Sequence, residues 1–252
     1  MQAKKERKDM NGSQYDAMFS GVIGQEYQTL KLICPLATQM NHLVSIAVAE
    51  YANSHPAQAL SVLELGGGTG ITTLSILLAA DSVNIVSVDS EPTMQNQAKQ
   101  SLKQWVEQGR VTFDGRDALS ALKSMATDSM DIMASAYTLH NFLDIYRVEV
   151  IREIYRVLKP GGQFINGDRY ALDDISVHTR TVQNEIAGFF KALIAVNKLD
   201  VLKHWIVHLV ADESENHVMR ESFSLQQLEQ AGFKEIKLSN RSEVNALVTA
   251  LK

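Results

Sequence analysis

The side chains best suited to chemistry fall in a few short stretches. The first is Glu64-Leu65-Gly66-Gly67-Gly68-Thr69-Gly70. Glycines this closely spaced permit a tight turn and let a ligand lie against bare backbone. A helix after them would offer free N–H groups to electron-rich ligand atoms. The second is Asp89, in Val86-Ser87-Val88-Asp89-Ser90, where a carboxylate can accept hydrogen bonds from two hydroxyls at once. The third is Asp117-Ala118, where the acid can serve as a helix N-cap. The fourth, Tyr137-Thr138-Leu139-His140-Asn141-Phe142, carries the best general-base candidate, His140. Asp168, Arg169 and Tyr170 can meet a substrate or anchor the segment that follows them. His204, His208 and Asp212 share one helical face. Two histidines one turn apart are a metal-ligand spacing, but no further ligand is identifiable, so no metal is expected.

Two familiar ligand loops are excluded by spacing. A dinucleotide fingerprint G-x-G-x-x-G would need its third glycine at Ile71 or Thr73. A phosphate-binding P-loop would need a Gly-Lys-Ser/Thr ending that is missing.

These residues need a scaffold, and the hydrophobic pattern supplies one. Short apolar runs, Val62-Leu65, Ile85-Val88, Val111-Phe113, Met130-Met133 and Gln163-Ile165, have the length and near-continuous apolarity of strands buried on both faces. Helical stretches at 71–80, 92–107, 117–126 and 145–158 lie between them. That alternation predicts right-handed βαβ units, a parallel sheet and an α/β fold. Lys159-Pro160-Gly161-Gly162 is expected to stop the fourth helix and turn into the fifth strand. Ser224 and Gln227 have capping-box spacing for a helix that Gly232 ends. Ile236-Leu238 and Val244-Val248 read as a closing antiparallel pair. Residues 1–13 read as a tail and Tyr15 to about Asn53 as helical, interrupted near Pro35. The stretch 170–222 holds helical patterns only and is far longer than an ordinary connection. It reads as a helical lid over the sheet's carboxyl edge, packed down by Phe189, Phe190 and Trp205. The chain thus divides into a tail and helical cap (1–55) and one sheet domain with its lid (56–252).

With these elements in order, E-x-G-x-G-x-G at 64–70 resembles motif I of the class I, Rossmann-like S-adenosylmethionine-dependent methyltransferases. Asp131 in Ser129-Met130-Asp131-Ile132-Met133-Ala134 and Leu158-Lys159-Pro160-Gly161-Gly162 resemble later motifs, with Asp131 read as structural. The resemblance is strong over about 58–168 and weak over 224–252. It implies a seven-stranded, mostly parallel sheet and S-adenosyl-L-methionine as cofactor, with S-adenosyl-L-homocysteine as product. It implies cofactor contacts from Glu64, Gly66, Gly68, Gly70, Asp89, Ser90, Asp117 and Ala118, with Asp89 on the ribose and Asp117 on the adenine. Glu64 can also be a structural carboxylate beneath the loop. Tyr15 resembles an N-terminal tyrosine that caps the cofactor, which a cation–π contact with a sulfonium would favour. Leu139-His140-Asn141-Phe142-Leu143-Asp144 resembles the segment of small-molecule O-methyltransferases whose histidine is the base. Asp168, Arg169, Tyr170, His204 and His208 would then face the substrate.

Composition bounds the partners. The 252 residues carry 24 basic and 29 acidic side chains, a net charge of −5, which suggests no broad nucleic-acid footprint. No run approaches the roughly 20 apolar residues of a membrane span. One cysteine, Cys34, gives no intramolecular disulfide framework and fits a reducing cytoplasm. The expectation is a small-molecule methyltransferase. Its rivals are a carboxy-S-adenosylmethionine-synthase-like enzyme that modifies the cofactor, and a cofactor-binding subunit without catalysis. For the former, the lid offers Lys198, Lys203 and His204 where that enzyme uses an arginine. A homodimer stays open, because oligomeric state is not readable from sequence.

Overall fold

The computed structural model describes residues 31–32 and 35–252. A long helix α1 (Pro35–Ser54) precedes a regular alternation: β1 (Leu60–Leu65), α2 (Ile71–Ala79), β2 (Val83–Val88), α3 (Pro92–Ser101), α4 (Lys103–Glu107), β3 (Val111–Asp114), α5 (Ala118–Ser124) and β4 (Met130–Ala136). A single 3-10 turn, Leu139–Asn141, leads to α6 (Asp144–Val157) and β5 (Leu158–Arg169). Two helices, α7 (Ile175–Ala195) and α8 (Leu199–Asp212), follow, then α9 (Glu221–Ala231), β6 (Lys234–Ser242) and β7 (Asn245–Leu251).

The seven strands form one sheet in the order β3-β2-β1-β4-β5-β7-β6. All pairs are parallel except β5–β7 and β6–β7. The continuous apolar runs are explained by what covers them. Val62, Ile132 and Ile165 point to a core shared with α1 and α2. Their neighbours Leu63, Met133 and Phe164 point the other way, into a core shared with α5, α6 and α9. With side chains alternating along each strand and both faces covered, most positions are apolar, and the buried polar Glu64, Ser87, Ser135 and Asn166 sit toward the carboxyl ends.

Three expectations are corrected. The helix expected over 92–107 is broken at Leu102, which is fully buried and lies under Gly70. Lys159-Pro160-Gly161-Gly162 does not precede β5 but forms an irregularity inside it: Met130 pairs Leu158, and pairing resumes at Ile132 with Gln163. The capping box at Ser224 does not form. The helix starts a turn earlier at Glu221, and the Ser224 hydroxyl donates to the Arg220 carbonyl instead. Gly232 does end that helix, at φ +109°, a conformation that favours glycine. Asp131 is structural, accepting from the Ser61 N–H at 2.8 Å and pairing with Lys159.

Candidate functional site

The strand order reverses between β1 and β4, and in open α/β sheets ligands bind at that point, beyond the carboxyl ends of the strands. The glycine loop leaves β1 there and the His140 turn leaves β4 beside it. The loop's shape follows from close approach. A side chain at Gly66 (φ +72°) would run into Thr138, with Oγ1 at 1.9 Å from the added carbon. One at Gly67 would meet Ser87 Oγ at 2.0 Å. At Gly68 (φ +52°) nothing stands within 4 Å, so bare backbone faces open space. Gly70 opens α2 with no side-chain cap, which leaves the first-turn N–H groups to a ligand.

Glu64 lies beneath this loop and is 1% exposed. Burial pushes its carboxyl up to about 7, against hydrogen bonds from Thr73 (2.6 Å) and Ser87 that pull it down. Its Oε1 is buried without a partner. Asp89 ties the next strand to the loop: its Oδ2 accepts from the Gly68 N–H at 2.7 Å and its Oδ1 from the Glu91 N–H at 2.8 Å. Ser90 is exposed beside it. Asp117 is the N-cap of α5, accepting from the Ser120 N–H and the Tyr146 hydroxyl, and these bonds lower its pKa to about 2. Ala118 begins that helix.

The second half of the site is centred on His140, only 6% exposed. Its Nδ1 lies 2.6 Å from Asp168 Oδ1, and Asp168 is fully buried. Burial alone would raise the Asp168 pKa. The His140 charge and hydrogen bond outweigh it, helped by the Arg169 N–H and the Asn166 amide, and hold it below the ordinary range. An ionised Asp168 can only accept, so Nδ1 donates, and whenever the ring is neutral its lone pair sits on Nε2. Asp212 Oδ2 stands 3.7 Å from Nε2 and 3.6 Å from His208 Nε2. Burial raises the Asp212 pKa, opposed by His140, His208 and Arg169. Burial lowers that of His208, opposed by Asp212.

Arg169 bridges β5 to the helical pair, binding Glu185 of α7 at 2.7 Å and Glu213 after α8 at 3.0 Å. His178 holds Glu213 from the other side at 2.6 Å. Behind the His140 turn, the fully buried Arg147 donates to the carbonyls of Leu139, Phe142 and His217 and pairs with Asp144. Tyr137, at φ +51°, sits strained at the end of β4 with its hydroxyl on Asn245.

A cavity of about 510 Å³ opens beside His140; of the expected cofactor residues Gly68 lines it, while Glu64, Gly66, Gly70, Asp89, Ser90, Asp117 and Ala118 lie outside its lining. Gly67, Gly68, Tyr137, His140, His208 and Asp212 line one end, and Leu36, Ala37, Phe189, Ala192, Trp205 and Leu209 give it an apolar body. Of the expected substrate residues, Arg169 and His208 are in the lining and the others need correction. Asp168 sits behind His140, and His204 is exposed on α8 outside the lining. The Tyr170 hydroxyl accepts from the Asn166 amide in the core, where burial raises its pKa. Phe189 and Trp205 pack α7 on α8 in a small core of their own rather than on the sheet, and Phe190 is half exposed. Tyr15 lies outside the described residues. Arg169 is the one arginine among the described lining residues, and its guanidinium is already paired with Glu185 and Glu213.

Residues 62–162 match the model of a methyltransferase domain family. A demethylmenaquinone methyltransferase of Leptospira interrogans is 34% identical over 128 residues, 51% of this chain and 48% of that protein. A 2-methyl-6-phytyl-1,4-hydroquinone methyltransferase of Arabidopsis thaliana is 34% identical over 110 residues, 44% of this chain and 30% of that protein. Among solved structures, an O-methyltransferase family protein from Burkholderia thailandensis superposes with a TM-score of 0.63 at 16% identity, covering 99% of this chain and 62% of that one. The CurJ carbon methyltransferase gives 0.62 at 15%, covering 99% and 66%. Residues 62–162 are thus similar to a methyltransferase domain, and the whole sheet has the fold of these solved structures. The chain spans about half the length of the first of these curated relatives.

A methyltransferase domain would account for the loop, the second-strand acid and the sheet order together. Its residues fit S-adenosylmethionine on two observations: the open backbone at Gly68, and the uncapped first turn of α2, suited to a carboxylate. The residues that sequence reasoning missed, Glu185, Glu213, Arg147 and Asn245, come mostly from outside the matched segment. Asp168 could have been paired with His140 from strand register, since Ala136 faces Gly167 and both chains leave the sheet just beyond.

Proposed function

We propose that this protein transfers the methyl group of S-adenosylmethionine to a small, largely apolar molecule bearing an aromatic hydroxyl. The 2.6 Å contact between His140 and Asp168 carries this reading. An imidazole oriented by a buried carboxylate, its free lone pair facing a cavity, is built to take a proton. The cofactor supplies an electrophilic methyl on a sulfonium, an excellent leaving group. Gly66–Gly70 and Asp89 hold it, with Asp117 toward its adenine. His140 Nε2 accepts the hydroxyl proton of the acceptor. That leaves the acceptor's oxygen, or a ring carbon conjugated to it, as the nucleophile toward the methyl group that the bound cofactor would supply. Phe189, Trp205, Leu36 and Leu209 hold the acceptor's body and exclude water.

In this reading α7 and α8 are a lid and residues 56–252 act as one unit. Support comes from the cavity's apolar lining and from the demethylmenaquinone and hydroquinone in the relatives' names. The setting that goes with it is cytoplasmic. No helix among the described residues is long and apolar enough to cross a membrane. The test is calorimetry with S-adenosylmethionine, followed by incubation with methyl-labelled cofactor and a panel of phenols and hydroquinones. Cofactor binding and label in at least one phenol are expected. Label appearing only in amines or thiols would overturn the acceptor class. Binding without any turnover across the panel would favour a non-catalytic subunit.

A further inference from the structure

The polar end of the cavity holds one group more than a proton transfer needs. His140, His208 and Asp212 each offer a ligating atom there, all within 4.8 Å of one another. The two imidazole Nε2 atoms flank the same carboxylate oxygen at 3.7 and 3.6 Å. Two imidazoles and a carboxylate are the donor set of open zinc and iron sites. Around an ion about 2.1 Å from each donor, the donors stand about 3.0–3.4 Å apart, so small side-chain rotations close the set.

Three independent observations point the same way. Asp168 fixes the His140 tautomer with its lone pair on Nε2, and a carboxylate behind the far ring nitrogen is the usual support of a ligating histidine. His140 and Asp212 are buried and His208 is half-buried, so hydration competes weakly. The local charge is short of fixed cations: Glu185 and Glu213 share the guanidinium of Arg169, with His178 on Glu213, Asp144 and Asp168 both act on Arg147, and Asp212 has only the two imidazoles as ion-pair partners. An ion at the centre of the three would relieve that imbalance.

We propose that His140, His208 and Asp212 bind one divalent transition-metal ion, with its remaining coordination positions open to the cavity. As a site it stands apart from the methyl-transfer reading; its chemical use rests on that reading. A nitrogen that holds an ion cannot hold a proton, so His140 is the proton acceptor only in the metal-free protein. In the loaded protein the acceptor oxygen would coordinate the ion as its oxyanion, the O–H acidified and its proton given to bulk water before the acceptor is enclosed.

The experiment uses the untagged full chain after chelator treatment. Zn2+ is titrated by calorimetry and Co2+ by visible absorption. One ion per chain with a micromolar or tighter Kd is expected, with ligand-field bands typical of a low-coordinate nitrogen–oxygen site. His208→Ala and Asp212→Asn should each weaken binding at least tenfold, with the thermal midpoint and the S-adenosylmethionine Kd unchanged. A stoichiometry near zero, or metal affinity unchanged in both variants, overturns the site. Because S-adenosylmethionine is titrated alongside, failure of the metal site with intact cofactor binding leaves the methyl-transfer reading standing. Failure of cofactor binding with intact metal binding does the reverse.

Discussion

Residues 64–70 and residues 175–217 face each other across one cavity, yet their shapes are encoded differently. The glycine loop is set within a few residues by backbone angles and by the absence of side chains at Gly66 and Gly67. The facing helical pair is set by contacts between distant positions: Arg169 with Glu185 and Glu213, and Asp212 with His140. A binding device for an invariant cofactor can be written locally. A pocket for one particular acceptor has to be assembled from several elements, and nothing in such an assembly repeats as a motif.

The contrast can be broken by substitutions on each side. His140→Ala should give the largest effect, a fall in turnover of about 10²–10⁴-fold, with the S-adenosylmethionine Kd unchanged by calorimetry. A parallel loss of cofactor affinity would merge the two halves into one. Next comes Glu64. Its folded-state pKa is raised from 4.5 to about 7, so the folded protein holds a proton that the unfolded chain has released. Stability contributed by that proton is full below about pH 4.5 and is lost as pH rises through 7, a slope worth a few kcal/mol. Glu64→Gln should flatten denaturant-derived stability between pH 5 and 8, and an unchanged slope would mean that another group titrates there. Gly66→Ala should cost about 2–3 kcal/mol in chemical denaturation, from its positive φ and the clash with Thr138. A neutral result would show that the loop relaxes freely. Asp89→Ala should weaken cofactor binding about tenfold, roughly 1.4 kcal/mol, and leave metal binding unaffected.

The sheet was legible because each strand is apolar on both faces and each crossover has its own punctuation, down to the φ of Gly232. The glycine loop and His140 were legible because both sit at strand ends, where spacing carries chemistry. Tyr170 was not, because polarity alone cannot tell a phenol hydrogen-bonded in the core from one facing a ligand. Leu102 and Ser224 were misread for a related reason. A helical period does not record where a buried leucine breaks the chain, and a capping pair does not record that Arg220 already starts the helix. Asp212 lay in plain view beside His208, but its partner His140 is 72 positions away and only the packed structure joins them.

Both feet of the α7–α8 hairpin are stapled down. Ala171 exchanges backbone hydrogen bonds with Met219 and Glu221. The Asn216 carbonyl accepts from the Asp144 N–H, and the His217 carbonyl from Arg147. Any swing of the hairpin therefore grows toward its tip at Val196–Lys198 and vanishes toward its base. His208 and Asp212, near the base, keep their register with His140, while Phe189 and Trp205, farther out, can yield. In the proposed reaction, selection should accordingly be strict about the reacting head of a molecule and lenient about the bulk of its tail.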